Sequence, residues 1–181
     1  YQVVQYYIDS LDEKQRKIFD SEINRNKGNI YCGDIIAKYE VAFPIWAFIE
    51  IVPFGRLVAF YGFCADRFSD KSMKDTFYRL LTCKEIRNAS AHSNCILNNL
   101  KAKTAAHSTN AAVTLELMKI KGMNTNFRKN RMSNARIQQV VTLLYTHKDM
   151  VESEGIKRSE SEDLKKIMER VDKNYDYYNT N

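Results

Sequence analysis

Lys71-Ser72-Met73-Lys74-Asp75-Thr76-Phe77-Tyr78-Arg79-Leu80-Leu81-Thr82-Cys83, continued by Lys84-Glu85-Ile86-Arg87-Asn88-Ala89-Ser90-Ala91-His92-Ser93-Asn94, is the stretch on which the reading of the chain turns. Met73, Phe77, Leu80, Leu81, the Lys84 stem and Ile86 recur at helical steps. Ser69-Asp70 supplies a cap just before them. The spacing therefore predicts a helix over 71–91 with a polar C-terminal end. Asn88 and His92 lie four apart and stack on one face, with Arg87 beside it. Together they offer a permanent cation, an amide that can orient a ring, and an imidazole suited to moving protons near neutral pH. Phosphate chemistry uses these parts: Arg for the phosphate and its developing charge, His for the proton.

The surrounding composition predicts an all-α protein. The 181 residues suffice for one domain with a real core, and we read 1–181 as a single domain. A hydrophobic fraction of 44 % with 11 Tyr and 9 Phe suits a folded globule, and 2 Pro with 6 Gly are too few for a strand-and-turn-rich fold. The most apolar stretch, Val41 to Ala65, is interrupted by Pro44, Glu50, Pro53, Gly55 and Arg56. It falls short of the roughly 20 apolar residues that span a bilayer, so it reads as buried helix and no membrane partner is expected. No signal-peptide pattern opens the chain, and a cytoplasmic location follows as the expectation. Cys32, Cys64, Cys83 and Cys95 form no Cys-x-x-Cys pair, and with His92, His107 and His147 they fit no zinc signature. They read as reduced thiols. Neither a metal site nor a cofactor is expected, and no acidic cluster suggests a two-metal nuclease.

Charge is unevenly distributed. Of a net +6, the segment from Lys84 to Arg136 carries ten Lys/Arg against two Asp/Glu, while the remainder is near balance. A local basic field favours a polyanion. The candidate RNA contacts are Lys84, Asn94, Asn98, Lys101, Lys103, Arg128, Lys129 and Arg131. For any single Lys a solvated surface role is the commoner one; their co-location with Arg87 and His92 tilts the balance.

Reading outward, Tyr1 to Asn26 is predicted as one amphipathic helix, with Val4, Ile8, Leu11, Ile18 and Phe19 on its stripe. Asn26-Lys27-Gly28-Asn29 is a turn, and 30–39 a short irregular or helical piece. Phe43 to Val52 reads as a central helix, apolar all round, in which Glu50 is the exception. A buried carboxylate needs a cation, and Arg87 is its candidate partner; a solvent-facing Glu50, or one paired with Arg56, is the alternative. A helix over 56–68 follows the Pro53 break, packing Leu57, Phe60, Tyr61 and Cys64. Beyond His92 the chain reads as loop to Asn110, then as helices over 111–121, 133–148 and 161–178, with 124–130 polar and basic and 152–155 a linker. The 133–148 helix is expected to bury Ile137, Val140, Val141, Leu144 and Tyr145. The last helix is expected to bury a seam of Leu164, Ile167, Met168, Val171, Tyr175 and Tyr178.

Two blocks carry a family resemblance. Arg87-Asn88 followed four residues on by His92 matches the Arg-x4–6-His motif of HEPN domains. The string Ile86-Arg87-Asn88-Ala89-Ser90-Ala91-His92, with Asn98 after it, resembles the signature of the Abi (abortive infection) branch of HEPN proteins. Phe43-Pro44-Ile45-Trp46, with Glu50 and Phe54-Gly55, resembles that family's upstream segment. Family members often place a second His after the motif His; here Ser93 stands there, which counts against mechanisms using two imidazoles in one chain. The resemblance implies a HEPN-like helical bundle with additional helices, more sequence upstream in a longer Abi protein, and a metal-independent endoribonuclease. In it Arg87, Asn88, His92 and Glu50 are the catalytic candidates. One His cannot easily serve as base and acid together, and the resemblance implies that a homodimer joins two motifs in one composite site. Two other readings stay open. One is a catalytically silent or inhibited RNA-binding module, held by a non-coding RNA or an antitoxin. The other is a purely structural helical domain in which Arg87 and His92 are ordinary helix-end residues.

Overall fold

The computed structural model describes residues 2–96 and 100–178, and among these all regular structure is helical. The expected single N-terminal helix is two, α1 (Gln2–Asp9) and α2 (Glu13–Asn26). The reason is local. The Asp12 carboxylate accepts the Gln15 N–H at 2.7 Å and the Gln15 side chain accepts the Asp12 N–H at 3.3 Å, a reciprocal cap that starts a new helix inside a continuous apolar stripe. Then come α3 (Gly33–Tyr39), α4 (Ile45–Ile51), α5 (Phe54–Arg67) and α6 (Lys71–Ala91). Pro44 and Pro53 each stand immediately before a helix in extended backbone, where a missing N–H costs nothing. Asp70 caps α6 by accepting the Met73 N–H at 2.9 Å.

After the motif follow α7 (Ala111–Met118), α8 (Thr125–Met132), α9 (Ala135–Met150), α10 (Glu154–Lys173) and α11 (Tyr175–Tyr178). Helix α8 was not expected from its polar composition; the Asn124 side chain nucleates it by accepting the Phe127 N–H at 2.8 Å. Helix α10 begins well before Ser161, because Ser153, read as linker, caps it through the Ile156 N–H. Its apolar seam is not buried: Ile156, Leu164, Ile167 and Met168 are exposed. Tyr1 and the side chain of Tyr178 lie outside the described residues.

The apolar core has two parts. The larger gathers α1 to α5, with Val4, Ile36, Ala47 and Phe48 fully buried. Its centre is aromatic: the Tyr7 ring meets Phe48, Phe60 and Phe63 edge-on at 5.9, 5.3 and 5.5 Å. Helix α4 is not the central element its composition suggested. Ala47, Phe48 and Ile51 are buried, while Ile45, Trp46 and Ile49 remain exposed, because α4 is laid on one side of this core rather than threaded through it. The smaller core joins α7, α8 and α9 through Val113, Leu117 and Met132. On its rim, Lys119 and Lys148 both hydrogen-bond Glu116 and hold its carboxyl down to about 2.

Helix α6 lies between the two cores, packed on α5 and on α9. Against α5 the fit is close and apolar. A Cβ at Gly62 would stand 2.6 Å from the Phe77 ring, so the glycine sets the approach of the two helices. Against α9 the interface is polar. The buried residues of α6 are Thr76, Arg79, Cys83 and Ile86, and those of α9 are Gln139, Thr142 and Thr146; of the apolar stripe expected on α9, Ile137, Val141 and Tyr145 are partly buried against the smaller core and Leu144 is exposed. Arg79, only 5 % exposed, donates to Asp149 of α9 at 2.7 Å and to Thr76 at 2.9 Å, with Tyr145 beneath its guanidinium at 5.1 Å. Burial raises the pKa of the Cys83 thiol, and Thr146 beside it donates to the Thr142 carbonyl at 2.7 Å. The Gln139 amide donates to Glu85 at 2.5 Å. The pairs Arg79–Asp149, Cys83–Thr146 and Glu85–Gln139 run in opposite chain directions, so α6 and α9 are antiparallel.

A double-mutant cycle tests whether Arg79 fastens α6 to α9. Urea unfolding of Arg79→Met, Asp149→Asn and the double variant is expected to give a coupling of about 1–2 kcal/mol, because one partner is buried. The same cycle on the exposed pair Arg16–Asp20 is expected to give under about 0.5 kcal/mol. Equal couplings would remove Arg79 from this role.

Candidate functional site at the end of α6

The motif occupies the last turn of α6 and the turn after it. His92 is the C-cap; its N–H donates to the Asn88 carbonyl at 3.1 Å. Ser93 then adopts a left-handed backbone, φ +53°, its N–H donating to Ser90 at 3.0 Å, while the Asn94 N–H reaches back to Ala89 at 2.9 Å. This is a Schellman termination. It satisfies the terminal carbonyls and fixes the direction in which the chain leaves the motif. Ser93, the position of the second His in the resemblance, is thus the residue that turns the backbone.

Arg87, Asn88 and His92 are exposed. Arg87 Nη1 donates to the Asn88 amide oxygen at 3.3 Å, so within the chain Asn88 steadies the guanidinium and not the imidazole. Among the described residues no carboxylate pairs with Arg87 and no side chain hydrogen-bonds the His92 ring. The expected Glu50–Arg87 pair is absent. Glu50 is exposed, on the side of α4 turned away from the buried Ala47–Phe48–Ile51 face. Arg56, its alternative partner, is instead paired with Glu22 at 3.0 Å.

The basic candidates divide by position. Lys84 is half-buried, its stem lying against Gly55 at the start of α5, and its ammonium has no ion pair among the described residues. Lys101 and Lys103 are exposed on a loop that is tightly tied down. The Lys101 carbonyl accepts the Asn134 amide at 2.7 Å, the Lys103 N–H donates to Ser133 Oγ at 3.0 Å, and Thr104 and Ala105 both donate to the Ser133 carbonyl at 2.9 Å. Lys129 and Arg131 are exposed on the last turn of α8, with Arg128 half-buried and Arg131 over the Phe127 ring. The fold therefore brings Lys101 and Lys103 to the junction of α8 and α9. Asn94 contributes a backbone bond and an exposed side chain. Asn98 lies outside the described residues.

The antiparallel register decides what faces the motif. It sets the C-terminal end of α6 at the N-terminal end of α9, where Ser133 and Asn134 hold the lysine loop. The carbonyl end of a helix repels phosphate and the N–H end attracts it. Here the end of α9, Arg136 in its first turn and the neighbouring lysines supply the positive field. Between α6, the 104–110 loop and the first half of α9 lies a cleft of about 870 Å³, lined among others by Tyr78, Lys84, Glu85, His107, Arg136 and Gln138. Arg136, His107 and Tyr78 were not among the sequence candidates. Their residue types are unremarkable singly, and only helix packing gathers them. Among the described residues no three His, Cys, Asp or Glu side chains cluster as a metal ion requires, and no helix is long and apolar enough to cross a membrane.

The model of the family described as Abi-like protein matches residues 1–98, more than half the chain, ending just past the motif. No curated protein and no solved structure matches.

Because Ser93 holds a left-handed conformation that costs an L-residue about 1–2 kcal/mol, Ser93→Gly is expected to stabilise the protein by about 0.5–1 kcal/mol and Ser93→Val to destabilise it by a similar amount. For a chain of this size that moves Tm by about 1–4 °C each way. A lower Tm for Ser93→Gly would show that another termination operates.

Proposed function

The chain belongs to the Abi-like protein family, and on that premise we propose that it is an abortive-infection protein acting as a metal-independent HEPN-type endoribonuclease. The observation that carries the reading is the exposed Arg87–Asn88–His92 group on the last turn of α6, at the basic end of the fold. RNA brings its own nucleophile. The 2′-oxygen attacks the adjacent phosphorus, the P–O5′ bond breaks, the 2′ proton passes to a base and the departing 5′-oxygen receives a proton. The products are a 2′,3′-cyclic phosphate and a 5′-hydroxyl. Arg87 stabilises the charge on the pentacoordinate phosphorus, held for that role by Asn88. His92 performs one proton transfer.

The other transfer needs a second group, and the single chain offers no imidazole partner to His92 in the motif. Two chains related by a two-fold axis, each presenting His92, complete the pair, and we take a homodimer as the active form. Glu50 has no catalytic part in this scheme. The lysines of the 101–103 loop and Arg128, Lys129 and Arg131 supply sequence-independent attraction for the RNA backbone. In the abortive-infection setting an RNA or protein antitoxin would act by covering this end.

Cleavage of a mixed cellular RNA pool in EDTA tests the reading. Wild type is expected to leave cyclic-phosphate ends, and His92→Ala and Arg87→Ala to lose at least about a hundredfold in rate with unchanged melting. RNA binding by all three without cleavage would replace the enzyme with a silent RNA-binding module. Full activity from a protein that sediments only as monomer would overturn the composite site.

A further inference from the structure

The cleft beside the motif has features that neither the motif nor the family match uses. Its volume of about 870 Å³ falls in the range of small-molecule and nucleotide pockets. Its walls come from two helices held in register by buried polar contacts, so it is preformed rather than a gap between loosely packed elements. One cation on the α9 wall, Arg136, lacks a carboxylate partner among the described residues; its guanidinium donates to the Gln139 amide oxygen at 2.9 Å, while Lys84 of α6 borders the cleft with its stem turned toward Gly55 of α5. The floor includes Arg79, whose Nε lies 3.5 Å from Asp75 and whose charge is met by Asp75 and Asp149. One acid lines the cleft, Glu85, and the Gln139 amide already engages it at 2.5 Å. Tyr78, 55 % exposed, presents its ring at the end remote from the motif, with the Lys74 ammonium 5.8 Å from the ring centre. Gln138 is drawn to the 107–109 loop by its bond to the His107 carbonyl at 3.0 Å, which closes the third wall. A cation without a carboxylate partner, amide and hydroxyl groups, and one exposed aromatic ring are the parts that hold a phosphate and a base together.

We propose that this cleft is a nucleotide subsite for single-stranded RNA: it takes a nucleotide neighbouring the one at Arg87 and His92, with its phosphate at Arg136 and a base stacked on Tyr78. The proposal rests on the RNA reading above and adds to it a direction for the strand. From the end of α6 the strand runs back along the α6–α9 groove toward Tyr78, and not only outward over the lysine loop. His107, on the loop wall, lies within the same subsite. Stacking on Tyr78 requires an unpaired base, so the site selects single strands.

The test uses the full chain and a short single-stranded 2′-O-methyl oligoribonucleotide, whose blocked 2′-oxygen prevents cleavage, with affinity followed against salt. Arg136→Gln is expected to weaken binding by about tenfold and to lower the slope of log K against log salt by about 0.7, one phosphate on a single strand. Arg136→Lys is expected to keep the slope. Tyr78→Ala is expected to weaken binding at least about fivefold with the slope unchanged, as for lost stacking. Ser108→Trp, which fills the cleft from its exposed loop, is expected to weaken binding without lowering Tm. Wild-type affinity in Arg136→Gln and Ser108→Trp, alongside weakened binding in Lys101→Gln and Lys103→Gln, would overturn the subsite and leave the nuclease reading standing. No binding by the wild type would overturn both.

Discussion

A guanidinium buried between two helices organises this protein. Arg79 sits in the α6–α9 interface at 5 % exposure, and its charge is met by Asp149 across the interface, by Asp75 on its own helix at 3.5 Å, by Thr76 and by the face of Tyr145. A charge in that position is costly unless its partners are in place. The helices therefore cannot slide by a turn without stranding it. Apolar side chains fill space in many registers, whereas a paired charge accepts one. Thr142, Thr146 and Gln139 extend the same logic along α9, and the Gln139–Glu85 bond closes it near the motif.

That fixed register is what gives the end of α6 its chemical character. Standing alone, the helix would present Arg87 and His92 among carbonyl groups that repel phosphate. Antiparallel to α9, it is accompanied by a helix N-terminus, by Arg136 and by a lysine loop bonded to Ser133 and Asn134. The attraction for an anion thus comes largely from residues after the motif. It is notable that the family match ends at residue 98. The α1–α6 bundle and the motif belong to the matched part, while the groups that make the neighbourhood positive, from Lys101 to Arg136, lie beyond it.

The two faces of α6 divide the work. Toward α5 the packing is tight and apolar, with Gly62 against the Phe77 ring and the Lys84 stem against Gly55. That side anchors the motif helix to the aromatic core. Toward α9 the packing is polar and leaves a cleft. A helix with one anchored side and one polar, hollowed side can present charged groups at its end without being free to rotate.

The amino-acid sequence by itself determined the all-helical architecture, the α6 boundaries, the break at Pro53 between α4 and α5, and the Arg87–Asn88–His92 group, because helical periodicity, caps and prolines act within a few residues. The same local physics produced the missed break at Asp12 and the missed α8: both turn on single side-chain caps placed within otherwise continuous or polar stretches. What only the tertiary structure decided depends on partners far along the chain. The exposure of Glu50 and of one face of α4 follows from where the aromatic core happens to end. Thr142 and Thr146 rather than Leu144 are buried because α9 turns toward α6 the side that brings Asp149 to Arg79 on another helix. Arg136, Tyr78 and His107 meet at a cleft only because α6 and α9 run antiparallel, and helical spacing along one element carries no information about the direction of its neighbour.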